Sequence, residues 1–223
     1  MKQENANPRG RYTAHALGAV LLRPLAHLRL TDFELSCVTV LLPHCDRHGR
    51  AVVTQRMGKL DLTLPGASME RYQRTGYYLL HRALQRVEAQ RTGLALLLDF
   101  GDFSLSQMAR SVKMADIRRG IAMMQDSSPA SLNVLYIVHP PRWLNRLLLM
   151  VRPLLSKDST KTSLFLITSP RDFEAHFELD RLPRLWGGGL DFSWEGQLEQ
   201  WAADEEARPP DFDVSSLLGE ETT

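Results

Sequence analysis

The chain has 223 residues, of which 43% are hydrophobic, with 27 Lys and Arg against 26 Asp and Glu. That is the length of one globular domain with a short appendage, too apolar for a disordered chain and too balanced in charge for a dedicated nucleic-acid binder. Two cysteines cannot build a disulfide scaffold, so a reducing, cytoplasmic setting is the expectation.

No apolar run approaches the roughly 20 residues of a membrane span; the longest, 94–98 and 147–151, are short and flanked by charge. Residues 1–30 carry Arg9, Arg11, Arg23 and Arg29 around a patch at 14–22 that His15 interrupts, which makes a poor signal or transit peptide. Thr31-Asp32-Phe33-Glu34 has the pattern of a capping box. Residues 37–42 are β-branched and apolar and predict a first strand. Asp46-Arg47-His48-Gly49-Arg50 predicts a hairpin turn with Gly at positive φ, and 51–57 the return strand. Tyr72, Gly76, Leu79, Leu80, Ala83, Leu84 and Val87 recur at helical spacing, predicting one helix over 69–91 that Gly93 ends. Residues 94–100 read as a buried strand, 104–125 as a helix, 132–138 as a second buried strand, 142–155 as a third helix and 164–168 as a third buried strand. A short helix at 172–179 and a tight turn at Gly187-Gly188-Gly189 follow. Strand and helix alternate, so the expected class is α/β with right-handed crossovers.

The 142–155 helix is unusual. Trp143, Leu144, Leu147, Leu148, Leu149, Met150, Val151, Leu154 and Leu155 leave only a narrow polar stripe of Arg142, Asn145, Arg146 and Arg152. A helix this apolar needs cover on nearly every side, yet its arginines resist burial. One reading is a helix that closes over an acyl chain or dips into a bilayer, with Arg at the headgroups. The other is a crossover helix packed on the sheet with its arginines turned outward. Arg142, Arg146, Arg152, Lys157 and Lys161 against Asp158 make this stretch basic, which favours contact with an anionic membrane. By contrast, 191–223 holds ten acids and one base, so a basic body carries an acidic end.

Taken in order, five segments carry a family resemblance. They are Asp46-Arg47-His48-Gly49-Arg50-Ala51-Val52, then Arg91-Thr92-Gly93-Leu94-Ala95-Leu96-Leu97-Leu98-Asp99, then Tyr136-Ile137-Val138-His139-Pro140-Pro141, then Arg152-Pro153-Leu154-Leu155-Ser156 with residues 159–162, and last Leu182-Pro183 with Gly187-Gly188. Together they resemble a CRAL-TRIO lipid-binding domain over roughly 31–200, and residues 80–94 are similar to that domain in a vesicle-associated non-receptor tyrosine phosphatase. The resemblance implies a mixed, largely parallel sheet with crossover helices and a gate helix over a lipid pocket. It implies three parts: 1–30, lacking the family's full N-terminal helical lobe; 31–200, the lipid-binding domain; and 201–223, an acidic tail. It also implies binding of one lipid, a phospholipid, phosphoinositide or similar, for transfer or sensing at membranes, without catalysis and with no cofactor other than that ligand. The residues expected around the lipid are Leu96, Leu98, Phe100, Tyr136, Val138, Trp143, Leu147, Met150, Val151, Leu154 and Ser159. Those expected at a membrane surface, peripherally and reversibly, are Arg142, Arg146, Arg152, Lys157 and Lys161. Where phosphoinositide-transfer members carry Glu, Thr and Lys, this chain has Ala130, Ser159 and Thr162. The alternative is a protein-interaction scaffold with a vestigial pocket and a protein partner.

Other motifs carry no chemistry. His44-Cys45 followed by Arg50 misses the phosphatase spacing by one residue, since position 51 is Ala. His44, Cys45, His48 and Cys37 lack paired zinc-ligand spacing. Asp99-Phe100-Gly101 has no other kinase element beside it, and no Gly-x-Ser-x-Gly elbow or catalytic triad is legible. His139, beside two prolines at a strand end, is expected to hydrogen-bond within a turn.

Overall fold

The computed structural model describes residues 39–118, 132–151 and 162–206. Five strands form one sheet in the order β1 (Thr39–Leu41), β2 (Ala51–Arg56), β3 (Leu94–Asp99), β4 (Leu132–Val138) and β5 (Ser163–Ile167). β1 is antiparallel to β2 and every other pair is parallel. The expected mixed, largely parallel α/β sheet is therefore present. The β1–β2 turn closes as its sequence requires: Asp46 N–H donates to Arg50 O at 3.0 Å, and Gly49 sits at φ 77, where a side chain would be strained.

The helices differ from the expectation in three places. The 69–91 helix is two, α1 (Met69–Leu84) and α2 (Val87–Thr92), because Arg86 is extended. An unbroken helix of that length would run about 34 Å, well past the roughly 20 Å of a six-residue strand; the break lets Ala89 turn under the sheet with Leu94. The 104–125 helix starts as read, with Ser104 Oγ accepting from Gln107 N–H, but α3 (Leu105–Ser111) stops where Val112 turns extended and packs against Leu60. Helix resumes at 114–118, and the remainder lies outside the described residues. The short helix read at 172–179 is a series of 3-10 turns, Pro170–Ala175, Leu179–Arg181 and Arg184–Trp186. Asp172 draws the first of these tight by accepting from the N–H of both Thr168 and Ser169, and those donors hold its carboxyl below the usual range. The capping box at Thr31 and the start of the first strand at 37–38 lie outside the described residues.

α4 (Leu144–Val151) follows Pro140-Pro141, and a final helix, α5 (Trp194–Glu206), closes the described chain. α5 runs across position 200, so the first part of the acidic segment is structured. It is held by stacking: the Arg56 guanidinium lies 5.1 Å from the Trp194 ring, and that of Arg82 lies 5.5 Å from Trp201.

The two faces of the sheet are finished differently. One carries Val52, Ala95, Leu97, Val134, Tyr136, Val138 and Ile167, closed by Phe173, Phe177, Leu182, Trp186 and Trp194. The other is covered in two patches. Near β1 and β2, Leu79 and Ala83 of α1 lie over Leu41, Val53 and Leu94. Near β3 and β4, Phe100, Phe103 and Leu144 gather over Ile137, with Leu98, Trp143, Leu147 and Leu148 around them.

Candidate functional site

Strand pairing arranges the second face in two rows across the sheet. One is Leu41, Val53, Leu96, Leu135 and Leu164; the other is Thr39, Gln55, Leu98, Ile137 and Leu166. Burial falls along them. In the first, Leu41 and Val53 are buried beneath α1, Leu96 and Leu135 are half-buried and Leu164 is 45% exposed; in the second, Leu98 is half-buried, Ile137 is buried under Phe100, Phe103 and Leu144, and only Leu166 at the β5 end is 46% exposed. A parallel sheet normally has both faces covered. Here one face is closed by aromatic side chains, while the other is covered over β1–β2 and over Ile137 and leaves Leu164 and Leu166 exposed at the β5 edge. Together with half-buried Leu96, Leu98 and Leu135, these leucines make this side of the sheet the candidate site.

α4 borders this slope. Leu144 N–H donates to Pro141 O at 2.9 Å, which starts the helix directly after the two prolines. Leu144 is buried and Leu147 and Leu148 half-buried against Phe100 and Phe103, whereas Leu149 is 68% exposed. Arg142, Asn145 and Arg146 are exposed at the start of the helix. The helix therefore shows apolar side chains both to the protein and to the outside.

Leu98, Phe100, Trp143 and Leu147 come together in one cluster on the open face, and Leu96 lies on the same face in the neighbouring patch beneath α1. Tyr136 and Val138 do not: they are buried on the closed face, and Leu135 and Ile137 occupy the corresponding places on the open one. The reason is strand parity, since successive side chains point to opposite faces. The Tyr136 hydroxyl donates to Asp46 Oδ2 at 3.1 Å and accepts from Arg50 Nη2 at 3.0 Å, while Arg50 Nε reaches the same carboxylate at 2.6 Å. A buried tyrosine hydroxyl needs a polar partner, and Asp46 and Arg50 supply it on the closed face. Met150 and Val151 end α4, but their side chains, and all of Arg152, Leu154, Lys157, Ser159, Lys161 and Ala130, lie outside the described residues. Thr162 donates to Leu132 O at 2.7 Å and so ties β5 to β4.

The segments that carry the resemblance act as ties. Asp46 and Arg50 clamp Tyr136, and Arg47 donates from its backbone N–H to His176 O and from Nε to Phe177 O. The His176 ring lies tilted, 4.3 Å from that of Phe165 and 5.0 Å from that of Tyr136; burial, and then the Arg50 charge, hold its pKa below the ordinary histidine value. Asp99, at the end of β3, accepts from Gly101 N–H, His139 Nδ1 and Trp186 Nε1, each at 2.8 Å. His139 thus serves a turn, at φ 50. Burial raises the pKa of the Cys45 thiol, the reverse of what activates a nucleophile. Among the described residues no three His, Cys, Asp or Glu side chains converge as a metal site, and no helix is long and apolar enough to cross a membrane.

Residues 35–188 match the CRAL/TRIO domain. The chain belongs to the CRAL/TRIO domain family. Among curated proteins it is similar to "Alpha-tocopherol transfer protein-like" of Homo sapiens, 28% identical over 170 residues, and of Mus musculus, 29% identical over 170 residues. Each alignment covers 75% of this chain and 47% of the relative, so the chain spans about half the length of these relatives. Among solved structures it is similar to "Crystal structure of Sfh5", with a TM-score of 0.56 at 15% identity over 79% of this chain and 67% of that one, a likeness of fold. Four of the five CRAL/TRIO-like segments lie within the described residues, where they hold the sheet, its hairpin and the closed face together; residues 152–161 lie outside them.

Proposed function

We propose that this CRAL/TRIO chain binds a single lipid on the open leucine face and carries or presents it at membranes, without catalysis. The observation that carries this reading is the slope from buried Val53 through half-buried Leu96 and Leu135 to half-exposed Leu164, with exposed Leu166 beside it. Shielding one acyl chain from water is worth about 0.8 kcal/mol per CH₂, enough for a short stretch of leucine surface to hold a lipid. Membership of the family supports the same reading, and so do the names of the curated relatives. The test is native mass spectrometry of the purified chain before and after incubation with phosphatidylcholine vesicles. A one-to-one lipid adduct is expected, and Leu164→Asp with Leu166→Asp should abolish it while the closed face keeps the fold intact. A lipid-free mass that stays lipid-free would overturn the proposal and favour the protein-interaction scaffold.

We further propose that Arg142 and Arg146, exposed beside Leu149 on α4, contact lipid phosphates when the open face meets a bilayer, together with Arg152, Lys157 and Lys161. Each base near an anionic surface is worth about 1 kcal/mol. Reversing both to Glu removes two attractions and adds two repulsions, so cosedimentation with anionic vesicles should fall by at least tenfold. Cosedimentation unchanged by that double reversal would remove the basic side of α4 from the membrane contact.

A further inference from the structure

The two edges of the sheet are finished in opposite ways. β1 is three residues long and buried throughout. Trp201 of α5 packs against both clusters to which its residues belong, that of Val40 on one face and that of Leu41 on the other. β5, at the other edge, is five residues long, and its first four are exposed. Among the described residues nothing pairs with its outer side. Its side chains stand open on both faces, Leu164 and Leu166 on one and Phe165, 37% exposed, on the other. An edge strand is a template for another strand, and natural sheets blunt it with charge, proline, a bulge or shortness. β1 is short and covered. β5 has none of these devices: residues 162–169 read Thr-Ser-Leu-Phe-Leu-Ile-Thr-Ser, and the strand pairs with β4 without a register shift.

The groups on the free edge can be assigned. Ile167 O accepts from His139 N–H at 3.1 Å, on the β4 side. Successive residues of a strand direct their backbone polar groups to alternate sides. Ser163, Phe165 and Ile167 therefore face β4, and Leu164 and Leu166 turn N–H and C=O outward. Their side chains read the same in both directions around Phe165. An antiparallel partner of identical sequence, related by a two-fold axis through Phe165 and perpendicular to the sheet, sets Leu164 opposite Leu166 of the other copy, and Leu166 opposite its Leu164. Each of these pairs exchanges two N–H···O bonds, so all four outward groups of each strand are satisfied. Phe165 then faces its own copy in the closer, non-hydrogen-bonded position, a favourable aromatic cross-strand pair. No charge lies within 162–169 to repel a second copy.

We infer that β5 is a self-association edge, joining two copies of this chain into one continuous sheet through antiparallel β5–β5 pairing about Phe165. The contact is isologous and uses up both β5 edges, and α5 already covers the β1 edge, so assembly stops at two chains. Two five-residue strands bury less than the 1,200–2,000 Å² of a standard interface, so the dimer is weak, with a dissociation constant of roughly 10–100 μM. The inference goes beyond lipid binding and does not depend on it. Pairing uses the edge of the strand and leaves the side chains of Leu164 and Leu166 on the open face.

The test is sedimentation velocity of the full chain without added lipid, over concentrations from tenfold below to tenfold above that range. The weight-average mass is expected to rise from one chain and level at two. Leu164→Lys with Leu166→Lys opposes like charges across the axis, and so does Leu164→Glu with Leu166→Glu; each double variant alone should dissociate at least tenfold more readily. An equal mixture of the two should restore the two-chain species, because every Lys then faces a Glu. That rescue needs both variants folded, so misfolding cannot imitate the result. Leu166→Pro removes one outward N–H and no bond to β4, which an edge strand tolerates. It should weaken the dimer as well, and it keeps the test standing if the charged variants fold poorly. A wild-type chain that stays at the mass of one copy would overturn the inference, and so would mass that grows past two. Association unchanged by the like-charged variants, or a mixture of folded Lys and Glu variants that stays monomeric, would overturn it too.

Discussion

Asp99→Ala is expected to destabilise the fold by about 3–5 kcal/mol, measured by urea denaturation. Asp99 is buried and accepts from three donors. Those donors are unequal. The His139 side chain is about half exposed, so water replaces the lost acceptor and that contact is worth little. Trp186 Nε1 is enclosed by the closed face, where its ring packs on Phe173 and Trp194, and no water reaches it. Gly101 N–H is partly buried at a turn that Gly58 crowds, a Cβ on Gly58 falling 2.1 Å from Gly101 O. A hydrogen bond to a carboxylate contributes about 1.5–3 kcal/mol, and a buried donor left unpaired carries its own desolvation penalty. Two such donors give the expected range. Trp186→Phe separates this cause from general loosening, because it removes the donor along with the bond. In that background Asp99→Ala should cost at least 1 kcal/mol less. A loss under about 1 kcal/mol in the native background, or full additivity of the two changes, would show that Asp99 does not tie β3 to the Leu182–Gly188 segment.

The outline of this fold was readable because its signals are local. Apolar runs at 94–98 and 134–138 mark the two interior strands. Asp46 to Arg50 marks a turn, and Ser104 and Gly93 mark a helix start and stop. Side-chain direction within a strand was not readable. A run such as Leu94–Asp99 is apolar at nearly every position, so no alternation shows which residues face α1 and which face Trp186. Leu96, Leu98 and Phe100 came out on the open face and Tyr136 and Val138 on the closed one, because β3 and β4 are joined by parallel pairing whose register no local pattern records. The register slips once, between Leu94 and Ala95, which by itself defeats counting along the strands. The ties escaped for the opposite reason. Asp99 to Trp186 and Tyr136 to Asp46 span 87 and 90 residues, and each end looks ordinary alone.

Among the three consecutive glycines, Gly188→Ala should be by far the most damaging, with a loss above about 3 kcal/mol or no soluble protein. A Cβ at 188 would stand 1.9 Å from Leu182 O and 2.7 Å from Leu179 O. Both obstacles are backbone, so no rotamer change relieves them. The loop must lift, and lifting breaks Gly189 N–H to Leu179 O at 2.7 Å and Leu190 N–H to Leu182 O at 3.0 Å. It also draws Trp186 away from Asp99. Gly187 offers a graded comparison: it lies at φ 83 with Pro170 Cβ 3.0 Å from the added methyl, and alanine there pays for the left-handed backbone, about 1–2 kcal/mol. At Gly189 the nearest atom is 3.4 Å away, an ordinary contact, and alanine should be within about 0.5 kcal/mol of the parent. Melting curves of the three variants test this order. If Gly188→Ala melts with Gly189→Ala, the loop is not seated on Leu179 and Leu182 in solution. The segment from Leu182 to Gly188 would then be a flexible end, without a part in closing the aromatic face against which the open face is defined.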